Sequence, residues 1–165
     1  MNYIKGIIFI TLILVLSRII PHPPNFTPIL AGIIFLPFIK KDLAFSIIAP
    51  LAAMLISDLI IGMHSLMLWT YAPIIFLSCL TYYFNRDNIL RIGTLAVVSP
   101  MVFFLVSNFG VWISGSSYTK DMSGLIECYF NAIPFYASSA ISCLLFTALF
   151  YFLRLALLKR NFLLN

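Results

Sequence analysis

The sequence predicts an all-α integral membrane fold, a compact bundle of about six transmembrane helices with both termini in the cytoplasm. Three observations predict it. Of 165 residues, 62% are apolar and 9% charged, with a mean hydropathy of +1.08, whereas a water-soluble domain carries about 25% charged residues. The apolar residues fall into runs near the roughly 20 residues that cross a bilayer. The lysines and arginines sit in the breaks between those runs, and unevenly. The length leaves room for one transmembrane domain over residues 1–165 and no soluble one.

Each element follows from its breakers. Span 1 covers about residues 3–20. Lys5 before an apolar run superficially suits a signal peptide, but Ser17-Arg18-Ile19-Ile20-Pro21 offers no small-x-small cleavage site, so a retained span is expected. The rigid loop Pro21-His22-Pro23-Pro24-Asn25-Phe26 comes next. Thr27 then suits an N-cap and Pro28 the first helical position of span 2, which ends by Ile39. At about 12 residues, or some 18 Å, span 2 either crosses with help from its loop or sits inside protein as a partial helix. Lys40-Lys41-Asp42 turns the chain into span 3, about residues 43–61, which carries the small-residue ridge Ala49, Ala53 and Ser57. Such ridges let helices approach closely in lipid.

Gly62-Met63-His64-Ser65 leads to span 4, about 66–84, and Asn85-Arg86-Asp87-Asn88 to span 5, about 89–113. The longest polar stretch, residues 114–121, follows. Residues 122–132 then suit an interfacial or re-entrant helix before span 6, about 133–155. Pro50, Pro73, Pro100 and Pro134 lie within or beside spans, where kinks are expected.

Charge sets the orientation. Six spans place Lys5, Lys40, Lys41, Arg86, Arg91, Arg154, Lys159 and Arg160 on one side and only Arg18 and Lys120 on the other. Eight against two is a positive-inside bias that puts both ends in the cytoplasm. Trp69 and Trp112 fall at the outer boundary, and Tyr82, Tyr83 and Tyr151 near the inner one, as interfacial aromatics do. The basic residues explain the net charge of +5 as topology, and because they form no dense run, nucleic acid is not an expected partner. Cys79, Cys128 and Cys143 lack zinc or redox spacing. No nucleophile–base set, carboxylate pair or phosphate loop is visible, so neither an enzyme nor a bound cofactor is expected.

The polar residues of the outward face are the candidate site. Arg18 ends span 1 and Asp58 lies near the end of span 3, at a depth where an unpaired charge is costly, so the two should pair directly or through a ligand. Asn108 lies in the outer third of span 5, where its amide needs partners from another helix or a solute. His22 and His64 emerge outward and, with Asp58, offer a metal site or proton-responsive gate, though with no ligand spacing. Asn25, Trp112, Glu127 and Tyr129 complete the set. A rigid turn, interhelical hydrogen bonds and ordinary interfacial charges account for the same residues structurally.

The stretches 17–28 (Ser-Arg-Ile-Ile-Pro-His-Pro-Pro-Asn-Phe-Thr-Pro), Ser57-Asp58 with Gly62 and His64, and Ser107-Asn108-Phe109-Gly110-Val111-Trp112 resemble an uncharacterised family of small bacterial membrane proteins over nearly the whole chain. That family brings no assigned activity. In size, span number and outward loops the chain is also similar to the substrate-binding S components of energy-coupling factor transporters. This resemblance implies capture of a vitamin-like molecule or metal from outside, with a coupling transmembrane subunit and ATPases as partners. S components often meet the coupling subunit through an Ala-x-x-x-Ala patch on the first span. Here span 1 carries the bulky Ile7-Ile8-Phe9-Ile10, and the small ridge is on span 3.

The expectation is therefore a solute-binding component of the bacterial inner membrane, with Arg18, Asp58 and Asn108 lining a pocket behind a Pro21–Pro24 lid. The alternative is an assembly protein that docks another membrane protein through its outer face. An intramembrane enzyme using His22, His64 and Asp58 is a third possibility.

Overall fold

The computed structural model describes residues 3–84 and 87–163, which form six helices and no strand. They are α1 (Tyr3–Ile19), α2 (Ile29–Ile39), α3 (Leu43–Ile61), α4 (Met67–Phe84), α5 (Ile89–Ser114) and α6 (Met122–Leu163). Four of them, α3 to α6, are long and apolar enough to cross a membrane. Asn85 and Arg86 of the expected turn between spans 4 and 5 lie outside the described residues.

The short helix is the core. α2 packs against α3, α4, α5 and α6, and its Ile29, Leu30, Ala31, Ile33, Ile34, Phe35 and Leu36 are all buried. Eleven residues span only about 16 Å, so α2 is the partial helix inside protein that its length allowed. Small-scale packing holds it. Phe35 meets Phe38 and Phe150 edge-on or tilted, and Leu14 of α1 and Cys143 of α6 join the same buried cluster.

Its cap differs from the expectation by one residue. Pro28, not Thr27, occupies the N-cap and makes no side-chain cap bond, while the Pro28 carbonyl accepts the Gly32 N–H at 2.7 Å. Elsewhere caps follow the sequence. The Asp42 carboxylate accepts the Phe45 N–H at 2.7 Å to start α3, and Asn88 accepts the Leu90 and Arg91 N–H groups to start α5.

The ridge on α3 is where α1 docks. Ala49, Ala53 and Ser57 are wholly inaccessible, and the Thr11 hydroxyl of α1 donates to the Ala49 carbonyl at 3.3 Å. Small side chains permit that approach, and packing in place of water exclusion drives it in lipid.

α6 corrects the expected break at residue 132. Instead of a re-entrant piece followed by a span, one helix of 42 residues runs through Pro134. Its first turns are tied to α5, because the Tyr129 hydroxyl donates to the Leu105 carbonyl at 2.6 Å and the Cys128 thiol to the Asn108 carbonyl at 3.5 Å. Asp121 starts the helix by accepting the Gly124 N–H at 2.8 Å. That bond, then the Thr119 hydroxyl, holds the Asp121 carboxyl below its ordinary range. Gly124 is required there, since a Cβ would come within 2.2 Å of the Thr119 carbonyl oxygen. At about 63 Å, α6 is longer than the ~40–45 Å of a whole bilayer.

These contacts sort the bundle into two ends. The ends of α1, α3 and α5 meet the starts of α2, α4 and α6 at one. At the other, Arg154 of α6 makes a paired hydrogen bond to Asp87 at 2.7 and 2.9 Å and lies over the Phe38 ring of α2. Lys40, Lys41 and Arg91 belong to this basic end by their helix positions.

Candidate functional site

At the end away from Arg154, the chain forms a half-open cavity of ≈ 400 Å³. Its wall is assembled from all six helices and the proline loop. Arg18 and His22 come from the end of α1 and the loop, Asn25 and Thr27 from the loop, and Ile29 and Leu30 from the first turn of α2. Across from them stand Met54 and Ile61 of α3, His64, Thr70 and Ile74 around α4, Phe103 of α5 and Ser139 of α6.

The polar centre of this region is Asp58. Its side chain is 3% exposed, so its charge needs partners. One oxygen lies 2.8 Å from Nη2 of Arg18. The other accepts the Tyr71 hydroxyl at 2.8 Å and stands 3.7 Å from Nε2 of His64. The expected pairing of Arg18 with Asp58 is thus direct, and it fastens α1 to α3 and, through Tyr71, to α4. Nη1 of Arg18 also donates to the Ser57 hydroxyl at 2.7 Å and to the Met54 carbonyl at 3.3 Å. Asp58 itself stands behind Arg18 and is not part of the cavity wall.

The proline loop that follows Arg18 is an ordered turn. Phe26 N–H donates to the Pro23 carbonyl, and Asn25 takes a left-handed φ of 61°, which asparagine tolerates better than most residues. Both imidazole nitrogens of His22 face carbonyl oxygens, that of Pro23 at 2.7 Å and that of Arg18 at 3.2 Å. A ring with one N–H serves only one of them as donor. Phe26 packs edge-on against Phe146 of α6, which anchors the loop to the far side of the bundle.

Four sequence-predicted residues, Arg18, His22, Asn25 and His64, therefore converge on one cavity, with Asp58 directly behind it. The other four do not join them. The Asn108 amide donates to the Phe104 carbonyl of its own helix at 2.8 Å. Trp112 donates through Nε1 to the Thr119 carbonyl at 2.9 Å, and Tyr129 to Leu105. Lys120 donates to the Trp112 and Gly115 carbonyls. These residues build the α5–α6 corner, and Glu127 is exposed on it. Among the described residues no group of three His, Cys, Asp or Glu side chains stands ready for a metal ion, and the three cysteines are free.

Sequence reasoning missed Tyr71, Thr70 and Ser139. Tyr71 reads as one more boundary aromatic, and its bond to Asp58 depends on the angle at which α4 leaves the 62–66 turn. Ser139 reads as one small residue in a run of four. Only its exclusion from solvent, at 4% exposure, and its place on the cavity wall set it apart.

No curated protein and no solved structure matches the chain. A family model does, over residues 2–163, and the chain belongs to that family, a family of unknown function designated DUF6580.

Proposed function

We propose that the protein is a solute-binding membrane component that takes a small molecule into this cavity from the extracytoplasmic side. The observation that carries the reading is the convergence of Arg18, His22, Asn25 and His64 on one half-open space of ≈ 400 Å³, within the ~300–1,000 Å³ typical of ligand pockets. The cavity is mostly apolar with a few convergent polar groups, the usual chemistry of a small-molecule site. One wall is the loop of three prolines, which contributes His22, Pro24, Asn25 and Thr27 and whose fixed φ angles keep it in place at low entropic cost.

In this reading all six helices sit in a bacterial cytoplasmic membrane, α2 within the protein interior, with both termini inside. The basic end supports that orientation, because among the described residues Lys5, Lys40, Lys41, Arg91, Arg154, Lys159 and Arg160 fall toward it, against Arg18 and Lys120 at the other. Energy for release would come from partners, a coupling transmembrane subunit with ATPases as in S components.

Two measurements test the reading. Native mass spectrometry of gently purified protein should show a retained small molecule, and Thr70→Trp, which fills the cavity from α4, should lose it while still folding. Wild type retaining nothing beyond what Thr70→Trp retains would defeat the proposal. A reporter fused to the C-terminus should light up in the cytoplasm; a periplasmic signal would turn the cavity to the wrong side.

A further inference from the structure

The start of α2 is buried and uncapped. Ile29, Leu30 and Ala31 are 4%, 8% and 0% exposed, and their backbone N–H groups, the first three of the helix, have no acceptor among the described residues. Helix starts usually satisfy these donors with a side-chain cap or with water. Here Pro28 has no side-chain oxygen to offer, and the neighbouring Thr27 makes no cap bond. Ile29 and Leu30 border the cavity, so the natural acceptor for these donors is whatever the cavity holds.

A second observation comes from the other side of the bundle. Ser139 of α6 borders the same cavity at 4% exposure. Its carbonyl accepts the Ser142 hydroxyl, but its own hydroxyl has no partner among the described residues. Among the described residues it is not sealed off in the way the buried, partnerless hydroxyls of Ser78, Ser99 and Ser138 are. Space for the Ser139 hydroxyl is supplied by the cavity.

The sign of the charge is the third element. The wall carries one guanidinium and two imidazoles, and neither Asp nor Glu. Asp58 neutralises much of Arg18, yet it binds Nη2 alone while Nη1 is taken by Ser57 and Met54. A guanidinium has five N–H donors, so Nε–H and one Nη2–H have no acceptor among the described residues. With the positive end of a helix dipole added, every donor left over in the cavity suits an oxyanion. The rest of the wall, Met54, Ile61, Ile74 and Phe103 among it, suits an apolar body.

From these three features we infer that the solute is an amphiphilic oxyanion, its carboxylate or phosphate held by the first turn of α2, Arg18 and Ser139. The inference rests on the proposed solute-binding role and narrows it to a chemical class. Either a free metabolite-sized anion or the headgroup of an anionic lipid supplies that chemistry.

The test uses the full chain in phosphatidylcholine nanodiscs and four probes of similar size: phenylphosphate, benzoate, benzylamine and benzyl alcohol. The anions should bind saturably and raise the thermal midpoint, at least about ten-fold more tightly than benzylamine or benzyl alcohol, a ten-fold ratio being about 1.4 kcal/mol. Ser139→Ala should weaken phenylphosphate several-fold with little change in the midpoint of the free protein. Because Arg18→Gln alone would strand Asp58, the double variant Arg18→Met with Asp58→Leu is the second arm, and it should also lose the anion preference. Equal binding of all four probes, preference for the amine, or anion binding unchanged in both variants overturns the inference. If wild type retains a native solute yet binds no anion, the inference falls while the solute-binding role stands. Loss of phenylphosphate binding in nanodiscs containing phosphatidylglycerol, with the Ser139→Ala effect intact, assigns the anion to a lipid headgroup.

Discussion

Two clusters of polar residues share the same end of the bundle and use their chemistry differently. Around Asp58, side chains from α1, α3 and α4 bond to one another, Arg18 reaching across 36 residues to the Met54 sulfur, 39 to the Ser57 hydroxyl and further still to Asp58. Around Trp112, the partners are backbone carbonyls, and the chain closes on itself within 5 to 24 residues. The first cluster borders a cavity, while the second completes a helix–helix corner. Side chains that satisfy stray carbonyls at a turn are consumed by the fold. Those that meet other side chains over a space leave donors to spare.

The strongest way to break that contrast is at Asp58. Replacing it with Ala strands the Arg18 guanidinium in a site where it is 18% exposed, and losing one partner of a buried pair costs about 3–5 kcal/mol. Thermal unfolding in detergent should show a large drop in midpoint, or failure to purify folded protein. Arg18→Met with Asp58→Leu should recover most of it, since apolar replacement of a whole buried pair is often neutral. Glu127→Ala, on the corner, should leave the midpoint unmoved. If Asp58→Ala unfolds no more readily than Glu127→Ala, the two clusters do not differ as described.

The corner has its own sensitive point. A Cβ on Gly110 would lie 2.1 Å from Cγ of Trp69, so α4 and α5 approach closely only because residue 110 is glycine. Gly110→Ala must move an indole that packs on Phe109 and donates to Ser114. Overpacking of this kind costs about 1–3 kcal/mol. The midpoint should fall, and binding of a cavity probe to the protein that remains folded should not. A matching loss of probe affinity would join the two regions into one unit.

A smaller effect separates them further. Tyr129→Phe removes one hydrogen bond to the Leu105 carbonyl and keeps the ring contact with Phe104, at a cost of about 1 kcal/mol. Amide exchange should speed up in residues near the start of α6, with probe affinity unchanged. Unchanged exchange there would mean that Tyr129 does not tether the helix start.

How much of this was legible follows from the same contrast. Depth alone matched Arg18 to Asp58, because both sit one turn from the end of helices running the same way, and an unpaired charge at that depth is costly. The ridge at Ala49, Ala53 and Ser57 announced a close helix contact, though not that α1 was the partner. Depth could not separate Asn108 from that pair, since a buried amide is as well served by its own helix's carbonyl four residues back as by a neighbour. The continuity of α6 was hidden by Pro134, a residue that ends helices in water and is accommodated where neighbouring elements re-satisfy the backbone. The missing cap on α2 was hidden by Thr27, a good capping residue one position too early.

The weakest expected effect lies at the opposite end and shows why burial decides these outcomes. Asp87 meets Arg154 with the same carboxylate–guanidinium chemistry as Asp58 and Arg18, but it is 65% exposed against 3%. Hydrogen bonding to Arg154 holds the Asp87 carboxyl below its ordinary value of 3.8. A depressed carboxylate stabilises the fold above its unfolded pKa and loses that contribution as pH falls through the lowered folded value. Solvent screening limits an exposed pair to about 0–1 kcal/mol. Wild type should therefore lose a fraction of a kcal/mol relative to Asp87→Asn only as pH drops below 3.8, with no difference between them in slope from pH 5 to 7. Salt at high concentration should erase even that gap, whereas it should barely touch the penalty at Asp58, because screening acts on exposed charges far more than on buried ones. If Asp87→Asn proved as damaging as Asp58→Ala, burial would not be what sets the two ion pairs apart.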